Sequence, residues 1–220
     1  MDISWFGQSF FEVVTDTEVK KGVKIYFDPY GETIGLTPPR NLEADIVLVS
    51  HQHSDHNNLG LFQKAGFRID TAGEYSVEGV DVKGILTYHD GSQGEERGLN
   101  ITFLVESENL KLVHLGDLGH ILSDKQVQAI GNPDVLMVPI GGNHSLSGKE
   151  ATKVIKQLEP KVVIPMHYKI PGLKTEVELD GIDKFCAEMG ICLKESLKKF
   201  SVKATSLSGK EMEVVQLEPR

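Results

Sequence analysis

The chain has 220 residues, 40% of them hydrophobic and 25% charged, enough for a full apolar core. Its net charge of −9 excludes the basic footprint of a general nucleic-acid binder, and no run of apolar residues approaches the ~18 needed to cross a membrane. Met1-Asp2-Ile3-Ser4-Trp5 lacks a basic start and a long apolar core, so no signal peptide is expected. Cys186 and Cys192 form no CxxC pair and read as small apolar residues in or near a helix, which fits a reducing cytoplasm.

The first third reads as strands: Ile3–Phe6, Phe10–Val14, and an alternating run from Val23 to Phe27 that stops at Asp28-Pro29. Residues 31–40, with two glycines and Pro38-Pro39, read as loop. A buried strand follows over Asp45–Ser50, and a short helix over Asn58–Ala65, capped by Asn57 or Asn58. Strands resume over Glu74–Val77, Val80–Tyr88, Leu99–Glu106 and Leu110–His114. Ser123 caps a helix to Ile130, Val135–Ile140 is a buried strand, and Ser147 to Glu150 has capping-box spacing for a helix to Leu158. A strand at Val162–Ile164, a helix over Asp180–Met189 and closing strands at Ser201–Ala204 and Glu213–Leu217 complete the pattern. Strand–helix–strand alternation in the second half implies parallel pairing, and the whole implies two packed sheets with helices outside.

Between Val49-Ser50 and Asn57 lies His51-Gln52-His53-Ser54-Asp55-His56, three histidines and a carboxylate within six residues. On an extended backbone, residues two apart share a face, so His51 and His53 can meet one ion. Asp55 and His56 lie past the strand end and can serve a second. Imidazole and carboxylate are zinc's usual donors when sulfur is absent. Further ligands must come from other strand ends, where His89, His114, Asp117 and His167 stand. Spacing does not choose between His89 and His114.

These residues resemble the metallo-β-lactamase superfamily, whose His-x-His-x-Asp-His signature is complete here. Asp28-Pro29, His114–Asp117, Pro139–Gly142 and Pro165-Met166-His167-Tyr168 resemble the branch of small stand-alone hydrolases similar to ascorbate-6-phosphate lactonase. The resemblance covers roughly residues 1 to 170. It implies an α/β fold, a four-layer αββα sandwich of two mixed β-sheets flanked by helices, in one domain over 1–220. It implies two divalent ions, zinc first, with manganese or iron as alternatives. His51, His53 and His89 would hold one ion, and Asp55, His56 and His167 the other, with Asp117 bridging. Asp28 would support the histidine loop by hydrogen bonding, and His114 would pack behind it. His144 and Asn143 would face substrate.

The implied reaction is hydrolysis of a small ester, lactone or phosphoester by a hydroxide shared between ions about 3.5–4 Å apart, with Asp55 and Asp117 as its catalytic carboxylates. The site's residual positive charge favours an anionic small molecule. Arg40, Arg97 and Lys169 are candidate anion contacts, each with solvated surface charge as the plainer reading. A di-iron redox protein or a nuclease of the same fold are the alternatives. A homo-oligomer is compatible with the resemblance. The segment after Gly172 carries no readable chemistry.

Overall fold

The computed structural model describes residues 1–191 and 195–220. Cys192 lies outside them, whereas Cys186 sits half-buried in the helix Ile182–Met189. Two mixed sheets face each other. The first runs, edge to edge, through Phe200–Ser201, Asp2–Trp5, Phe11–Thr15, Val23–Phe27, Ile46–Leu48 and Phe67–Ile69. The second runs through Glu213–Val214, Val162–Met166, Val135–Pro139, Leu110–His114, Leu99–Ser107, Val80–Tyr88 and Gly73–Val77.

The period of two sorts the apolar residues between layers. Ile25, Phe27, Ile46 and Leu48 enter the core shared with Phe103, Val105 and Leu112 of the second sheet. Tyr26 and Val47, one residue out of phase, pack outward with Phe10, Tyr30, Ile34 and Leu61. Val135–Pro139 and Val162–Met166 are buried at every position, as strands covered on both faces must be. Helix Gly148–Leu158 lies against that region and against Ile182–Met189. Its start is fixed by a complete capping box, with Ser147 and Glu150 each accepting the other's backbone N–H.

The α/β sandwich expected from the sequence is present, and its second half is parallel from Leu110–His114 through Val135–Pro139 and Val162–Met166 to Glu213–Val214. Over the outer face of the first sheet, the cover is thin: short 3₁₀ turns at Glu32–Ile34 and Leu59–Leu61 and a two-stranded ribbon.

That ribbon corrects one expectation. Asn58–Ala65 is not a helix. Asn58 caps a single 3₁₀ turn by accepting from Gly60 N, and Phe62–Lys64 then extends to pair with Leu42–Glu43. Pairing, together with the edge-on packing of Phe62 against Tyr26 at 5.2 Å, outweighs weak helix propensity around Gly60. Ser201–Ala204 is also shorter than expected. Phe200–Ser201 pairs with Asp2-Ile3, and Ala204–Leu207 turns into a helix that buries Leu207. Glu213–Leu217 divides into two short strands that join different sheets.

Every chemically notable loop leaves the C-terminal end of a strand. Asp28 follows Val23–Phe27, the histidine cluster follows Ile46–Leu48, His89 follows Val80–Tyr88, and Asp117 follows Leu110–His114. Asn143 to Ser145 follow Val135–Pro139, and His167 follows Val162–Met166. Val80–Tyr88 is antiparallel to Leu99–Ser107, which is antiparallel to Leu110–His114. The first and third therefore run the same way and deliver His89 and Asp117 to the same rim.

Candidate metal centre

Asp117 is the hub of that rim. Its Oδ2 lies 3.1 Å from His56 Nε2, 3.1 Å from His167 Nε2, 3.4 Å from His89 Nε2 and 3.9 Å from His51 Nε2. Its backbone is fixed by donation to Asn100 Oδ1 at 3.0 Å. Gly116 makes this approach possible: at φ +59°, a Cβ there would lie 2.3 Å from Asn100 Oδ1 and 2.6 Å from Ser50 Cβ.

Ligand-type atoms of His51, His53 and His89 fall within 4.8 Å of one another, and those of Asp55, His56 and His167 do the same. A third set, Asp28 with His51 and His56, meets the same distance. Its chemistry is different, because both oxygens of Asp28 are already engaged. Oδ1 accepts from Ser50 N at 2.7 Å, while Oδ2 accepts from Ser50 Oγ at 2.6 Å and faces His56 Nδ1 at 3.1 Å. Ser50 Oγ in turn lies 2.9 Å from His51 Nδ1. Asp28 therefore grips the rear nitrogen of one histidine directly and that of another through a serine.

The front nitrogens are left open. His51 Nε2 and His56 Nε2 are buried and have no hydrogen-bond partner. Buried imidazole nitrogens normally find one. An imidazole held at one nitrogen by a carboxylate or hydroxyl, with the other bare and aimed at a carboxylate, is the form a metal ligand takes. The donor set thus fits divalent cations of the zinc, manganese or iron type.

Electrostatics supports the same reading. Burial, then the nearby histidines, holds His51 and His53 below the usual histidine range, leaving them neutral and ready to donate a lone pair. Burial would also depress His56, but Asp117, Asp55 and Asp28 outweigh it and hold it well above that range. Burial opposes ionisation of Asp117 and Asp55 as well. The surrounding histidines, His167 and His56 for Asp117 and His56 first for Asp55, nevertheless keep both well below the ordinary carboxylate range. Of these histidines, His56 is the one that the carboxylates hold in its charged form.

The geometry separates His89 from His114. Both nitrogens of His114 are committed to backbone, Nε2 with Ser9 O at 3.0 Å and Nδ1 accepting from Gly116 N at 3.1 Å. Its ring stacks on Phe27 at 4.9 Å. It packs behind the site, while His89 faces Asp117.

The family model described as "Beta-lactamase superfamily domain" matches residues 2–167. The chain belongs to that superfamily. A metal-dependent hydrolase of Carboxydothermus hydrogenoformans from the group called UPF0173 is 31% identical over 76% of this chain and 84% of its own length. One from Methanopyrus kandleri is 28% identical over 83% of this chain and 94% of its own. A solved structure from Thermotoga maritima, a candidate zinc-dependent hydrolase of the metallo-β-lactamase superfamily, is 35% identical, with a TM-score of 0.76 over 99% of this chain and 98% of that one.

In this superfamily member the rim opens into a cavity of about 470 Å³. Among the expected residues, His53, Asp55, His89, Asp117, His144 and His167 line it. Asn143 does not. Its amide turns away to donate to the backbone carbonyl of Glu178, and it borders a neighbouring recess shared with His89 and His144. Gln8 and residues 174–177 also line the cavity, and Ser9 supports Asp117 from behind; the sequence assigns none of them a role. Gln8 is fully buried and its Nε2 donates to Asp55 Oδ2 at 3.1 Å, while its backbone carbonyl receives His167 N at 3.1 Å. Ser9 Oγ donates to Asp117 Oδ1 at 3.3 Å. Residues 174–177 close one side. Gly7-Gln8-Ser9 reads as a plain turn between strands; its position at a strand end was the available signal.

Asp90 shapes the loop beside His89. Its buried carboxylate accepts four backbone N–H groups, from Ser92, Gly94 and Arg97 at 2.8 Å and Glu96 at 3.1 Å. Burial opposes the charge, but these bonds dominate and bring its pKa down to about 2. The folded value lies below the unfolded one, so this support is complete above about pH 4 and is lost as pH falls through about 2. Amide hydrogen exchange at residues 92–97 should therefore accelerate in that acid window. Asp90→Asn should show the faster exchange already at pH 6; equal protection in the variant would contradict the role.

Proposed function

We propose that this chain is a dinuclear metal hydrolase, acting as one domain, that cleaves a small ester, lactone or phosphoester. The observation that carries the proposal is the convergence of four imidazole Nε2 atoms on one oxygen of Asp117, two of them buried and otherwise unpartnered. His51, His53 and His89 would hold one ion, Asp55, His56 and His167 the other, and Asp117 both. Bound there, divalent cations, zinc by the donor set, supply an acidified water as nucleophile and a Lewis acid for the substrate oxygen.

The chain's own residues set the conditions. Asp55 and Asp117 offset only half the charge of two divalent ions, so the pocket stays positive and favours an anion. Gln8 orients Asp55, and Asp28 holds His56 and, through Ser50, His51. Ser145 Oγ, 3.5 Å from His167 Nδ1, steadies the ligand contributed by the parallel strand. His144, half-exposed on the cavity wall, contacts substrate, and Asn143 holds its loop against Glu178. Cytoplasmic residence fits the cysteine usage. Among the described residues, no helix is long and apolar enough to cross a membrane.

Metal analysis of purified protein should return two equivalents per chain. At a thousandfold excess over Kd, each bound ion should stabilise the fold by about 4 kcal/mol, or roughly 10 °C in Tm. A chelator should remove both the shift and the turnover of a lactone and phosphodiester panel. Unchanged melting on metal addition, with no metal retained, would sink the proposal.

A further inference from the structure

Of the three cations considered as anion contacts, two are already paired. Arg40 bonds Glu32, and Lys169 bonds Glu178 at 2.5 Å, both at exposed positions. Arg97 is different. It lines the metal cavity beside His53, His89 and His144, has no carboxylate within ion-pair distance among the described residues, and carries a buried Nε with no hydrogen-bond partner. Glu95 and Glu96, its nearest acidic neighbours in sequence, do not neutralise it; Glu96 instead accepts from Ser92 Oγ at 2.7 Å.

The loop that carries Arg97 is rigidly tied to a metal-facing residue. Asp90, next to His89, accepts Arg97 N itself at 2.8 Å, and the loop closes with Gly98 N on Gly94 O at 3.0 Å and His89 N on Gly98 O at 3.1 Å. Arg97 thus keeps a fixed offset from His89. Its charge reaches the cavity wall, where, after burial, it is one of the influences holding His144 below the usual range. Exposed Lys174 adds a second cation to the lining, and exposed Glu176 an opposing anion.

We infer that Arg97 is the specificity-determining residue of the site: its guanidinium binds an oxyanion, a carboxylate or phosphate, that the substrate carries away from its scissile bond. A partly desolvated guanidinium with an unused donor gains most from a planar or tetrahedral oxyanion, which accepts two parallel N–H bonds. The metals would then hold the reacting end and Arg97 the other, with Asp90 as a positioning residue. As a statement about substrate, this rests on the hydrolytic reading above; anion capture itself needs no turnover.

Calorimetric titration of zinc-loaded protein tests it with butyrate, succinate and 3-phosphonopropionate. These share one carboxylate and differ only in a methyl, carboxylate or phosphonate tail. Wild type should prefer a charged tail over methyl by about tenfold or more, as a charge-assisted bond requires. Arg97→Gln, which keeps a polar side chain, and Arg97→Ala should each cut that preference to below about threefold, and Arg97→Lys should keep part of it. The tail that loses more tells carboxylate from phosphate. A preference unchanged in Arg97→Gln, or absent from wild type, overturns the inference. Wild-type turnover of mono-4-nitrophenyl succinate, which carries the anionic tail, and of the lactone and phosphodiester panel is scored separately: anion preference without turnover of any of them would sink hydrolysis and leave Arg97 as an anion site.

Discussion

Asp117→Asn should lower turnover by more than about a hundredfold and reduce the metal content from two equivalents to one or none. Replacing a group that merely supports a ligand costs ten- to a hundredfold in affinity or activity, so loss of the shared ligand proposed here should exceed that range. Oδ2 of Asp117 is the one atom that His51, His56, His89 and His167 all approach, between 3.1 and 3.9 Å. An amide there places either a weaker neutral oxygen or an N–H donor against two cations. Asparagine matches aspartate in shape, and Asn100 Oδ1 would still receive the backbone N–H, so the loop itself should survive. The variant's metal-free form should melt lower than wild type, because buried His56 would lose the anion that faces it at 3.1 Å. Two bound equivalents with turnover near wild type would exclude a shared ligand at position 117.

Much of this site is legible before any coordinates, for reasons that differ by residue. His51, His53, Asp55 and His56 stand out as candidates because four donor-type side chains fall within six residues, so local spacing alone suggests the chemistry. His89 against His114 is not decidable that way. Both end a strand, and what separates them is whether the nitrogens are consumed by backbone, here Ser9 O and Gly116 N, which is a long-range fact. Gln8 and Ser9 are less visible still. Each is a common turn residue whose role comes from the loop meeting Asp55 and Asp117 across the chain. The same division holds for the fold. Val23–Phe27, by its alternation, and Val80–Tyr88 and Leu110–His114, by strand propensity between turns, have the bounds expected of them, whereas Asn58–Ala65 takes its form from a partner strand twenty residues upstream. Local pattern carries the strands, and pairing decides segments whose own preferences are weak.

Asp28 offers the second large effect, and two substitutions should divide its roles. The residue is fully buried and sits at φ +44°, in the left-handed region that asparagine tolerates and alanine resists. Asp28→Asn keeps shape and backbone but removes the charge that faces His56 Nδ1. Metal affinity should fall about ten- to a hundredfold with the fold intact, because the rear of the ligand is no longer polarised. Asp28→Ala removes every acceptor at once. Ser50 N, Ser50 Oγ and His56 Nδ1 would then be buried without their partner, and with the added backbone strain the loss of stability should reach about 3–5 kcal/mol. Chemical denaturation of the metal-free proteins isolates the structural part, and competition with a chromophoric chelator isolates the affinity. If Asp28 only terminates a strand ahead of Pro29, both variants should bind metal as wild type does. Its place in the site requires the asparagine variant to lose affinity while keeping most of its stability.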